Sequence, residues 1–223
     1  MRFWQQAWAI AIRDLKVEGR SSEVLSVVLP FAAAAVFVVP LATDAQVTRL
    51  QALAFPVYWL VALLFGMQVA LRQTGQESEM QRRHLALLGV DPSARFVGRS
   101  MAATLLISAV LALMTPLALI FYQPAPIDGW PLMIPVAALF ASGLAMLATL
   151  AGDVTVGLRT RTALAPLLVV PVAVPLLMGA AQTLEALSRG DGTLAWILVL
   201  VITNLVLAAV GTLAARPLEE AGT

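Results

Sequence analysis

Cysteine is missing from all 223 residues, which excludes disulfides, thiolate nucleophiles and cysteine-ligated metals. Histidine occurs once, at His84, so neither an H-E-x-x-H helix nor a multi-histidine metal site can be built. Lysine also occurs once, at Lys16. It lies outside any glycine-rich loop, and no G-x-x-x-x-G-K-[ST] run exists, so the sequence carries no P-loop nucleotide site of its own. Charge of either sign is scarce, at 12% of residues, against roughly 25% in soluble domains. The formal net charge of +1 leaves no basic field for nucleic acid.

What remains is apolar: 60% of the chain is hydrophobic and the mean hydropathy is +0.88. A soluble fold of this length could not hide so much apolar surface. An ordinary soluble enzyme, a disordered chain and a secreted disulfide scaffold are therefore excluded. Six stretches contain no Asp, Glu, Lys or Arg: Val24–Leu41, Leu50–Leu71, Ser100–Tyr122, Trp130–Gly152, Thr162–Leu184 and Thr193–Ala215. Each approaches or exceeds the roughly 20 residues that span a bilayer core as a helix. None alternates apolar and polar residues, so each must satisfy its backbone internally as a helix. The expected fold is an all-α membrane protein of six transmembrane helices in a single permease-like domain over 1–223.

Basic residues give the orientation. Of the 14, only Arg49 and Arg189 fall on one side of this topology. The rest, among them Arg13, Lys16, Arg72, Arg95, Arg99, Arg161 and Arg216, fall on the other. Both termini are therefore expected in the cytoplasm. The first 22 residues are charged and hold no signal-peptide core. Trp4, Trp8, Ile12 and Leu15 share one helical face there, which reads as an amphipathic helix over 1–22 in the membrane interface. The alternative is a helix packed on protein.

The outer loops, about 42–49, 123–129 and 185–192, are too short to hold a domain, so the longest soluble piece is 72–99. Thr74-Gly75-Gln76-Glu77 fits a capping box. Met80, Leu85 and Leu88 supply the apolar positions of a following helix, with Arg82 and Arg83 beside them. Gly89 reads as a left-handed stop. Asp91-Pro92 reads as the N-cap and first residue of the next helix. Together Glu77, Glu79, Met80, Arg82, Arg83, Leu85 and Leu88 form a candidate docking helix for a soluble partner.

The membrane interior offers little chemistry. No span holds an ionisable group at depth, which argues against ion-coupled transport. Asn204, the one mid-span amide, reads as an interhelical hydrogen bond rather than a substrate ligand. Ala138, Ser142, Ala145, Thr149 and Gly152 form a small-residue seam in the fourth span. Pro166, Pro171 and Pro175 punctuate the fifth, where each removes an amide and bends the helix. His84 lies in the cytoplasmic loop, where it reads as solvated or partner-facing rather than a haem ligand.

This layout resembles type-two ABC exporter permeases, which dimerise and take energy from a separate ATPase. More narrowly, the sequence resembles the haem exporter protein B family (CcmB) of cytochrome c maturation. The resemblance rests on Gly157-Leu158-Arg159, followed by the run from Leu164 through Pro166 and Pro171 to Pro175, and on Trp8 with Arg13-Asp14-Leu15. Length and span count agree over essentially the whole chain. The first cytoplasmic loop departs from the family's usual Asp-Gly-Ser/Thr and Glu-Gln-Leu pattern: residues 76–85 read Gln-Glu-Ser-Glu-Met-Gln-Arg-Arg-His-Leu. The resemblance implies no enzyme activity in this chain, with ATP on a partner and haem handled by the complex rather than bound here as a cofactor. It implies a CcmA-like ATPase, a CcmC-like haem-handling subunit, a small CcmD-like membrane protein, the CcmE-like haem chaperone and a second copy of the chain as partners. It also implies a bacterial inner-membrane location. A generic ABC exporter permease for a lipid, drug or polysaccharide, and a non-transporting scaffold for an ATPase, share most of the same features.

Overall fold

The computed structural model describes residues 3–22, 24–42, 47–75, 89–124, 129–154 and 169–221. Those residues form helices with no strands among them. We number them α1 (Phe3–Ser21), α2 (Leu29–Ala42), α3 (Val47–Gly75), α4 (Pro92–Tyr122), α5 (Met133–Val154), α6 (Val174–Arg189) and α7 (Leu194–Ala221). A π-helical turn, Val24–Val28, precedes α2, and a 3-10 turn, Trp130–Leu132, precedes α5.

Four of the six expected spans stand as helices long and apolar enough to cross a membrane: Val47–Gln73, Pro92–Tyr122, Trp130–Val154 and Leu194–Pro217. The first expected span differs. α2 has only 14 residues, about 21 Å at 1.5 Å per residue. It reaches membrane length only as part of a pair, Phe3–Ser21 with Ser26–Ala42, bent by 51°. The fifth expected span is described only from Val169 onward. There the helical turn of 169–172 leads into α6 through Ala173, whose backbone is helical.

The buried centre lies among α2, α3, α4, α5 and α6, with Trp59, Ile107, Phe140, Leu144 and Leu176 fully enclosed. Trp59 stacks obliquely on Phe140 at 5.0 Å. Its Nε1 is enclosed and has no hydrogen-bond partner among the described residues. Prolines free carbonyls inside these helices, and one such debt has a visible solution. Pro40 has no amide to give the carbonyl four residues back. The Tyr122 hydroxyl donates to that Val36 carbonyl at 2.9 Å. In hydrocarbon an unmatched carbonyl costs several kcal/mol, so this bond ties the end of α4 to α2.

Several local expectations are met and others corrected. Asp91 caps α4, accepting from the Ser93 amide at 2.9 Å, with Pro92 in the first turn. Gly89 has φ +69, in the left-handed region, while the helix it was expected to stop lies outside the described residues. Thr74 and Gly75 do not open a helix: α3 carries its intrahelical bonding through Gly75, past the apolar stretch. The loop expected at 185–192 is shorter as well. α6 runs on through Glu185, which pairs with Arg189 one turn later, and ends at Gly190 with φ +74.

Candidate functional site

At the end of the bundle that holds both chain termini, four helices meet on polar groups. The start of α4 is the hub. Asp91 donates its amide to Gln6 Oε1 of α1 at 3.2 Å and faces Arg216 of α7 at 3.4 Å. Ser93 Oγ donates to the Thr212 carbonyl of α7 at 3.1 Å. About two turns deeper, Arg99 of α4 donates from Nη1 to Asp153 Oδ1 of α5 at 3.0 Å. Their side chains are 3% and 12% exposed, so this pair is sheltered from water where the Arg216–Asp91 pair is not. Arg95 and Glu18 are buried at the same end.

Glycines let the helices close on this hub. A Cβ on Gly98 would lie 2.5 Å from the Ala7 carbonyl oxygen and 2.9 Å from Ile10 Cβ, so α1 and α4 touch nearly backbone to backbone. A Cβ on Gly211 of α7 would overlap the Phe96 ring of α4. The buried face of α1 is therefore Ala7, Ile10, Ala11 and Glu18. Trp4 and Trp8 point away from the bundle, 69% and 56% exposed. One face of α1 therefore packs on protein, the alternative weighed for this helix, and Trp4 and Trp8 lie on the exposed face.

A second polar crossing lies inside the bundle. Asn204 of α7 donates from Nδ2 to the Leu139 carbonyl of α5 at 3.0 Å and to its own Leu200 carbonyl at 2.8 Å. Ser142 donates to Asn204 Oδ1 at 2.7 Å. The mid-span amide is thus an interhelical bond, as its isolation in an apolar run suggests. Gly143 makes room for it: a Cβ there would lie 2.5 Å from Leu176 Cδ2 and 3.2 Å from Asn204 Nδ2. Ser142, Ala145, Thr149 and Gly152 of the expected seam lie at or near this packed face, whereas Ala138 is exposed. Asn204→Ala should lower stability by about 0.6–1.7 kcal/mol, the range for hydrogen bonds between membrane helices. The midpoint of unfolding in mixed micelles measures this. A larger loss would mean that the amide does more than join α5 to α7.

Of the residues singled out in sequence, Glu77, Glu79, Met80, Arg82, Arg83, Leu85 and Leu88 lie outside the described residues. So do His84, Gly157, Leu158, Arg159 and Pro166. The structure does place Pro171 and Pro175 on either side of Ala173. Two helical bonds run through that residue, from the Ala173 amide to the Val169 carbonyl at 2.8 Å and from the Leu177 amide to the Ala173 carbonyl at 2.9 Å. Pro175, lacking an amide, leaves the Pro171 carbonyl without the bond that would bridge it. The Arg99–Asp153 pair and the Gly98 and Gly211 seats were not singled out. Sequence signals for them exist only in retrospect, as charges just beyond span ends and as glycines within helical runs.

These features define a polytopic α-helical membrane protein whose helices converge, at the termini end, on a polar hub. The chain belongs to the CcmB family: the family model described as CcmB protein matches residues 5–218, nearly its whole length. A search of curated proteins gave no significant match.

Proposed function

We propose that this protein is the membrane permease subunit of an ABC-type complex for cytochrome c maturation, acting in haem delivery to and release from a periplasmic haem chaperone. The observation that carries the proposal is the family match over residues 5–218. Four membrane-length helices in the fold support it. ATP would be hydrolysed on a CcmA-like partner, and haem handled with CcmC-like, CcmD-like and CcmE-like proteins. The type-two permease arrangement and a second copy of the chain in the complex belong to the same reading. The charge bias supports a bacterial inner-membrane orientation with both termini cytoplasmic.

In this reading the segment holding Glu77, Glu79, Met80, Arg82, Arg83, Leu85 and Leu88 docks in the ATPase. Its outlet is Asp91, from which force reaches α1 through Gln6 and α7 through Ser93 and Arg216. The turn Gly157-Leu158-Arg159 and the prolines 166, 171 and 175 would form the second cytoplasmic approach and a bent element that responds to the nucleotide state. Leu85→Asp tests the docking. An unpaired carboxylate at an apolar contact costs several kcal/mol. The variant should insert in the membrane, lose the co-purifying ATPase and lower cytochrome c yield at least about tenfold. Full ATPase retention with normal yield would make the segment a bystander. Retention of an ATPase by the unaltered protein, with no maturation subunit beside it, would point to an unrelated exporter.

A further inference from the structure

α1 and α2 are fastened to opposite ends of the same helix. α1 seats on the start of α4, through Ala7 and Ile10 at Gly98 and through Gln6 at Asp91. α2 is tied to the far end of α4 by the Tyr122–Val36 bond. These two attachments lie roughly 36 Å apart along α4, at about 1.5 Å per residue. Among the described residues α1 and α2 scarcely touch each other. What joins them is a bend of 51°.

The bend is built from residues that make it soft. Ser22, just past the last turn of α1, has φ +51, in the left-handed region that glycine usually fills at a helix end. A Cβ makes that conformation costly. The Ser22 amide still donates to the Glu18 carbonyl at 2.7 Å. The Ser22 carbonyl accepts from the Ser26 amide at 2.8 Å and from the Ser26 hydroxyl at 2.7 Å. A hydroxyl bonded back to the carbonyl four residues earlier often bends a helix. The π-helical turn Val24–Val28 adds a second known cause of kinks. Gly19, near the end of α1, has no positive φ, and nothing lies within 4 Å of where its Cβ would sit. Neither crowding nor backbone conformation calls for glycine there, yet it weakens the helix. Two opposed effects therefore meet at this joint. Docking of α1 on α4 favours the bend, and the left-handed Ser22 opposes it.

We propose that Gly19, Ser22 and the Val24–Val28 turn form a pivot. On it α1 swings as a stiff arm between the docked position and a raised one, while α2 stays pinned to the end of α4. Raising the arm returns Ser22 to helical geometry, releases Gln6 from the Asp91 amide and frees the start of α4. The pivot is a property of this chain and does not depend on what the complex transports.

Distances between paired spin labels test it on the full chain in phospholipid nanodiscs. The chain has no native cysteine, so no background label has to be removed. Labels at Ala9→Cys on α1 and Leu213→Cys on α7, both exposed, read the arm against the bundle. Labels at Val38→Cys and Leu119→Cys, also exposed, read α2 against α4. The first pair should show a docked and a raised distance. Ser22→Gly relieves the left-handed strain and weakens a straight helix, whereas Ser22→Ala strengthens the straight helix and keeps the backbone bonds of the joint. The docked-to-raised ratio should therefore be about tenfold higher with glycine than with alanine. If the alanine variant fails to fold, the glycine variant should still exceed the parent about fivefold. Gly19→Ala, which meets no neighbour, should narrow both components. The second pair should read the same throughout. A first-pair distribution that none of these substitutions alters would overturn the proposal and make the joint a fixed corner. A parallel shift in the second pair would also overturn it, because α2 would then move with the arm.

Discussion

Gly98→Leu should free α1 from the bundle without unfolding the other helices. A side chain at this position meets the Ala7 carbonyl oxygen first, at 2.5 Å from Cβ, and backbone cannot rotate away as a side-chain tip can. Ile10 Cβ, at 2.9 Å, blocks the only sideways relief. Overpacking of this kind costs about 1–3 kcal/mol. α1 is held by this face, by the Gln6–Asp91 bond and by buried Glu18, with Trp4 and Trp8 on the exposed side. The population of detached α1 should therefore rise about 5–150-fold. Trypsin reports that population, because Arg13, Lys16 and Arg20 sit on α1 and cleavage follows the open fraction when opening is fast. Cleavage in this segment should accelerate by that factor while cleavage elsewhere stays slow. An unchanged rate would show that α1 is not held through the Gly98 seat. If the functional proposal holds, cytochrome c maturation should fall as well, since α1 is one of three helices that grip the start of α4.

How much of this could be read from sequence depends on what kind of signal each feature leaves. Long apolar runs are collective signals, and α3, α4, α5 and α7 follow them closely. Asp91-Pro92 is a strong local signal, because a cap depends only on residues within one turn. Asn204 was legible for the opposite reason: it stands alone among apolar neighbours, so burial forces it to find a partner. The capping box at Thr74 was misleading. Its residues suit a helix start, yet α3 still runs through Thr74 and Gly75, the two of them that are described, and tertiary continuity decided there. The buried face of α1 was hidden by its tryptophans. Large aromatics dominate an apolar pattern, while the contact that holds the helix uses Ala7 and Ile10 against a glycine. Contacts between distant residues leave the weakest trace. Nothing in Pro40 names Tyr122 as the donor for the carbonyl it frees, and nothing in Gly211 names Phe96.

Arg99→Met should destabilise the protein far more than loss of the exposed Arg216 charge does, and adding Asp153→Leu should restore most of the loss. The two residues lie 54 positions apart, each just past the end of an apolar span, where charges ordinarily look like solvated flanks. Their burial changes the energetics. A guanidinium 3% exposed and a carboxylate 12% exposed have given up most of their water, and the 3.0 Å bond between them replaces part of it. Removing the arginine strands a carboxylate in that shelter, which costs on the order of 3–5 kcal/mol. Replacing both by apolar residues of similar volume removes the stranded charge, and buried pairs exchanged in this way are often no less stable. The exposed Arg216–Asp91 pair is the internal control: at 3.4 Å, and with Arg216 69% exposed, its loss should cost about 0–1 kcal/mol. Unfolding midpoints of the four variants in mixed micelles give the comparison. If the double variant is as unstable as Arg99→Met alone, the loss does not come from a stranded charge and the pair is not what joins α4 to α5. If the double variant is stable yet fails in cytochrome c maturation while still retaining its ATPase, the pair serves motion rather than stability. Under the proposed function we expect that second result: an apolar contact would hold α4 and α5 in one arrangement, whereas an ion pair can break and re-form as the partner hydrolyses ATP.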